Sequence, residues 1–183
     1  MEETARRVMD EIHTAIPGEI VSFSPGSGKA VVQPNGKITM PGGQRMSYPA
    51  ISDVPVVFPV CQSANTGMAF PVKSGDSCLI VVSETELDEW RSGAESEGSL
   101  RFDLSSAIVI PGLLVGGGDL IQKACSNDAV VICAGTSEFM LSEEKMVCRV
   151  GDTEITATEA EIAVRGSLKV DGDISYTGAL HGV

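Results

Sequence analysis

Residues 137–166 read SEFMLSEEKMVCRVGDTEITATEAEIAVRG, and the pattern in this stretch decides what kind of fold the chain can adopt. Phe139 and Leu141, then Met146, Cys148 and Val150, then Ile155 and Ala157, then Ile162 and Val164 fall at every second position. Period two is the spacing of a strand with one apolar side. Each run is short and is followed by Gly, Ser, Thr or Asp, which predicts short strands joined by tight turns. DAVVICAG precedes the stretch, and SLKV and DISY follow it in the same manner. The spacing of about seven or eight residues is below the eight to twelve usual for sandwich strands. It resembles a solenoid winding, in which a unit buries its apolar side only against neighbouring windings or chains.

Energetics then call for partners. Ordering about 65 residues costs on the order of 100 kcal/mol of conformational entropy. Burial returns roughly 25 cal/mol per Å² only where both sides of a contact are dry. One chain of such strands has no second layer. Three copies wound about one axis supply it, because each chain's apolar row walls the other two. The expected inter-chain packers are Ile155, Ile162, Val164, Leu168, Val170 and Ile174. A one-residue slip would reverse which side points inward.

The preceding residues have a different texture. Ala5, Val8, Met9, Ile12 and Ile16 recur at helical spacing and predict an amphipathic helix over residues 1–18, ended by Pro17-Gly18. From Glu19 the period becomes two. EIVSF and AVVQP flank the turn SPGSGK; ITM precedes the turn PGGQ; SYPAISDVPVVFPV, MAFPV and SCLIVVS follow. ETELDEW reads as one helical turn, RSGAESEGS as a polar acidic loop, and RFDLSSAIVIPG as a last strand. About five strands and one short helix in roughly 90 residues predict a small barrel of the OB type over residues 19–112. A Gly-rich linker, 113–119, leads to the repeat-like region 120–183. The expected fold class is all-β.

Composition narrows the function. The chain has 183 residues and a formal net charge of −12, and residues 1–115 and 116–183 each carry −6. Non-specific nucleic-acid binding needs clustered Lys and Arg, which are missing here, and anionic lipid is disfavoured on the same ground. No apolar run reaches the roughly 20 residues of a membrane helix, and MEETARRVMDEIH is no signal peptide. A soluble product made in the cytoplasm is expected. Five cysteines without a CxxC pair read as small buried hydrophobes.

Apparent motifs dissolve on inspection. SPGSGKA lacks the first glycine and the final hydroxyl of a phosphate loop, and a strand rather than a helix follows it. His13 and His181 lie near opposite ends of the chain, so no Cys–His pair is local. No catalytic constellation emerges, and an enzyme is not expected. An OB-type module for a ligand or nucleic acid is the alternative, weakened by the acidic charge and scattered aromatic residues.

The order HTAIPGEIVSF, YPAISDVPVVFPV, FPVKSGDSCLIVVSETELDEW and RFDLSSAIVIPGLL, followed by the acidic repeat-like region, resembles the central spike proteins of contractile phage tails. That resemblance implies a virion protein of the tail baseplate: a homotrimer, its OB-like domain docked to hub proteins and its triple-stranded β-helix acting as a membrane-piercing needle. It implies mechanical contact with the host envelope and no nucleic-acid partner. A non-piercing trimeric hub adaptor is the neighbouring reading. Such spikes often end in H-x-H motifs that hold iron at the apex. Here Ala179-Leu180-His181 leaves one histidine per chain. Three His181 imidazoles on a threefold axis would suit Fe or Zn. Otherwise His181 caps a polar end, or a separate tip protein covers it.

Overall fold

The computed structural model describes residues 12–40, 42–61, 63, 66–93, 101–113 and 116–179, and divides the chain into two compact units, Met1–Val115 and Gly116–Val183. Strand dominates the described residues, so the chain is all-β.

The first unit corrects the end of the expected helix. Residues 1–11 lie outside the described residues, and Ala15–Gly18 open strand β1 (Ala15–Ser24). Ala15, Ile16, Pro17 and Gly18 pair with Val81, Ile80, Leu79 and Cys78, so sheet pairing overrides the helical spacing of Ile12 and Ile16. Pro17 is tolerated because pairing on the other side of β1 starts only at Gly18. Gly18 is needed for close approach: a Cβ there would lie 2.6 Å from Ile80 Cδ1 and 2.8 Å from the Gln33 carbonyl oxygen.

Next come β2 (Lys29–Pro34), a hairpin of β3 (Lys37–Thr39) and β4 (Arg45–Ser47), and β5 (Ile51–Pro55). A smaller hairpin of β6 (Val60–Cys61) and β7 (Thr66–Gly67) precedes β8 (Ser77–Val82). Helix α1 (Leu87–Ser92) and a 3₁₀ turn at Leu104–Ser106 lead to β9 (Ala107–Pro111). MAFPV, expected as a strand, lies mostly outside regular structure; Val72 packs on the core and the Phe70 ring on Phe58 instead.

The sheet runs β5-β2-β1-β8-β9, antiparallel throughout. Its register shifts between Ile20 and Ser22 and again between Ala30 and Val32. Such bulges bend a strand and sharpen its twist. The sheet curls accordingly until β9 meets the chain just past β5, where Val56 bridges Val109 and the Val57 N–H donates to the Val109 carbonyl at 2.9 Å. Ile20, Ala30, Val32, Val54, Cys78, Ile80, Ala107 and Val109 fill the inside of that curl.

The second unit begins with a correction. Residues 113–119 were expected to be linker and 120–183 β-structure, yet α2 (Asp119–Asn127) occupies the start of this region. Leu120, Ile121, Ala124 and Cys125 recur at helical spacing, and Asp119 complements the N-terminal dipole. Five strands follow: β10 (Val130–Ala134), β11 (Ser137–Leu141), β12 (Lys145–Val150), β13 (Thr153–Thr158) and β14 (Ile162–Arg165). They form an antiparallel meander in chain order, with no register shift.

A repeat of about 16 residues underlies this meander. GTSEFMLSEEKMVCRV (135–150) aligns with GDTEITATEAEIAVRG (151–166). Gly135 (φ 62°) and Gly151 (φ 57°) each take the first position of a two-residue hairpin turn, a place that calls for positive φ. At the opposite ends the turns Ser142–Lys145 and Thr158–Glu161 are closed by the Ser142 N–H to the Lys145 carbonyl and the Thr158 N–H to the Glu161 carbonyl, both 2.9 Å. SLKV and DISY form no strand.

Candidate functional site

Register sorts the second unit's side chains into rows that cross the sheet. One row holds Val130, Leu141, Met146, Ala157 and Ile162; the next but one holds Ile132, Phe139, Cys148, Ile155 and Val164. Alternation puts both rows on the same face. All ten residues are apolar. A shallow groove of about 380 Å³ runs along this face, between side chains that include Ile132, Phe139, Cys148, Val150 and Ile155. Ile162 is 73% exposed, and Val130, Ile132, Leu141 and Val150 are also exposed. A contiguous apolar face of this kind marks an interaction surface.

The opposite face has another character. Met140 and Val147, side by side in register, are 6% and 3% exposed. Next to them runs a charged row: Glu138, Arg149, Glu154 and Arg165 on successive strands. Arg149 Nε donates to Glu154 Oε2 at 2.8 Å, and Thr156 Oγ1 donates to Glu154 Oε1 at 3.0 Å. Glu138 accepts from Lys123, which ties α2 to this face. The Arg149 hydrogen bond, helped by Thr156, holds the Glu154 carboxyl below the usual carboxylate range, and Glu154 in turn raises Arg149. Opposite charges in cross-strand positions pin the register, and register decides which face is apolar.

The structure brings three predicted packers together: Ile155, Ile162 and Val164 lie on the open apolar face. Leu168, Val170 and Ile174 lie beyond β14, outside the sheet and exposed. His181 lies outside the described residues, as does the expected apex site. No group of three or more His, Cys, Asp or Glu among the described residues could hold a metal ion. Sequence reading missed the charged row. The 16-residue repeat carries that signal, since it sets Glu138 over Glu154 and Arg149 over Arg165.

The cysteines divide. Cys78 is buried in the first unit's core, and burial, with the Glu19 charge adding, pushes its thiol up to about 11. Cys61, Cys125 and Cys133 are exposed and Cys148 is half-buried, which corrects the expectation that all five are buried. Neither unit places a cysteine beside a histidine among the described contacts; His13 packs edge-on to the Tyr48 ring, with centroids 5.9 Å apart.

The first unit carries an uncharged stretch of its own. No residue between Asp53 and Lys73 is charged. Within that stretch the Phe58 ring packs edge-on against Phe70, with centroids 5.2 Å apart, and against Phe23 at 6.3 Å. Val57, Val60, Met68 and Phe70 are exposed around them. None of the described helices is long and apolar enough to cross a membrane.

No curated protein matches the chain. A family model does: the phage protein Gp138 N-terminal domain, over residues 16–112, which runs from β1 through β9 and takes in more than half of the chain. The chain belongs to the family of the phage protein Gp138 N-terminal domain and is a phage structural protein.

Proposed function

We propose that the protein is the trimeric central spike of a contractile tail baseplate, and that it punctures the host envelope when the sheath contracts. The observation that carries this reading is the open apolar face on β10–β14. Val, Leu, Ile and Phe side chains gain about 1.5–3 kcal/mol each when fully buried, and a single chain leaves this face in water. Copies of the same face, meeting about an axis, cover it without any other partner. The exposed arginines of the charged row, Arg149 and Arg165, and the acidic net charge then keep the rod soluble. Membership in a phage family supports a virion location.

The first unit, in this reading, is an OB-like domain that docks to hub proteins through the uncharged stretch around Phe58 and Phe70. The action is mechanical, and no catalytic group is required. His181 from three copies would supply imidazole nitrogens for Fe or Zn at the apex; failing that, a tip protein caps the end. An antibody against residues 135–165 tests the placement. On purified tails it should label the baseplate end and reduce infection. Labelling confined to the capsid, or no labelling of intact particles, would contradict the reading. A non-piercing adaptor would take the same label while its loss left puncture intact.

A further inference from the structure

The meander stops at β14 for a reason legible in the repeat. After Arg149 the chain runs Val150, then the turn glycine Gly151; after Arg165 it runs directly to Gly166, one residue short. That deletion constrains any continuation within the same chain. A two-residue turn at Gly166-Ser167 would set Lys169 opposite Val164, on the apolar face, and move Leu168 and Val170 to the charged face. A three-residue loop would restore the faces but place Lys169 directly opposite Arg165, where like charges repel. The register that extends both apolar rows, with Leu168 opposite Val164 and Val170 opposite Ile162, leaves a turn of one residue. No common hairpin is that tight.

The structure agrees with this impasse. Residues 167–179 join no strand and make no hydrogen bond among the described residues. Leu168 is 70% exposed, and Val170, Ile174 and Tyr176 are exposed too. β14 meanwhile has β13 on one side and, among the described residues, an open edge on the other. An unpaired edge and an unpaired apolar segment of alternating pattern therefore occur in one unit, and the intervening turn keeps them apart in one chain.

We propose that residues 167–171 of one copy add as an antiparallel strand to the β14 edge of a neighbouring copy, with Leu168 opposite Val164 and Val170 opposite Ile162. Without the turn, this register extends both apolar rows by one residue. It sets Lys169 opposite Ala163 and Ser167 opposite Arg165, so no like charges meet along β14; Asp171 and Glu161 face each other only past its end. Strand addition also removes an edge that would otherwise template aggregation. The inference rests on the trimer reading and specifies which segment joins the copies.

Two differently tagged full-length chains, one V164C and the other L168C, are co-expressed and oxidised. Directly opposed residues have Cβ atoms about 4.5–5.5 Å apart, close to the spacing a disulfide spans. The expected product is a covalent pair of one chain of each kind, with peptide mapping locating the 164–168 link. A163C with L168C, whose side chains point to opposite faces, should lose that link. A trimeric mass without a 164–168 link, or equal linking in the A163C pair, overturns the strand exchange and leaves the trimer standing. A monomeric mass for the unsubstituted chain removes both.

Discussion

Two five-stranded antiparallel sheets in one chain reach opposite outcomes. The first unit's sheet carries bulges in β1 and at the β2–β5 pairing, curls, and encloses an eight-residue core. The second unit's sheet keeps register through all four pairings and buries only Met140 and Val147 among its described apolar side chains. Strand number does not explain the contrast. What differs is whether the sheet can bend far enough to cover its own apolar face. A sheet whose register never shifts carries ten apolar residues on one side that its own strands leave uncovered, Ile162 at 73% exposure among them.

The largest effect should come from charging the open face. I155D combined with I162D would bury unpaired carboxylates wherever that face is covered, at several kcal/mol each. Sedimentation should show assembly lost while the first unit's folding, followed by Cys78 protection, stays intact. Assembly that survives both changes would show that the face is not the interface. Ile80→Ala makes the converse cut. It should cost about 2–5 kcal/mol through a core cavity. Chemical denaturation should place that loss in the first unit, independent of protein concentration.

Smaller effects sharpen the contrast. G151V forces a β-branched residue into positive φ at a hairpin turn and should cost about 1–2 kcal/mol. The midpoint of second-unit unfolding would report it, and an unchanged midpoint would mean the β12–β13 turn is not under this constraint. The Glu154 carboxyl is depressed, so its stabilising effect is present above the ordinary carboxylate pKa and is lost as pH falls through the lowered value. Wild type should therefore be more stable than E154Q at neutral pH, and the gap between their denaturation midpoints should close as pH falls through the lowered Glu154 value; a gap that does not change with pH would contradict the assignment. Smallest of all, Cys78 should resist alkylation at about pH 8 while Cys61, Cys125 and Cys133 react, because its thiol stays protonated until about pH 11.

How much of this was legible in the sequence depends on which force dominates locally. The β10–β14 strands were, since alternation at Phe139, Leu141, Ile155 and Ile162 is the physical signature of a one-sided sheet. The apolar side was legible for the same reason: its residues share one parity. The start of β1, Ala15–Gly18, was hidden because Ile12 and Ile16 fit a helix as well as a strand, and only pairing with β8 decides between them; the rest of β1 was legible in EIVSF. α2 was hidden behind the glycine run, although Leu120, Ile121, Ala124 and Cys125 carry its pattern. The charged row is invisible to hydrophobic periodicity. It emerges when the two 16-residue halves are laid over each other and the antiparallel turns fold Glu138 onto Arg149. The end of the meander turns on one missing residue before Gly166, a signal with meaning only once the faces are known.

The central claim is that copies of this chain cover the second unit's apolar face. Light scattering on a sizing column, with full-length protein over a hundredfold range of concentration, tests it most directly. The account predicts a mass near three times 19.1 kDa that persists on dilution. A single species at 19.1 kDa throughout, with the second unit still cooperatively folded, would contradict it.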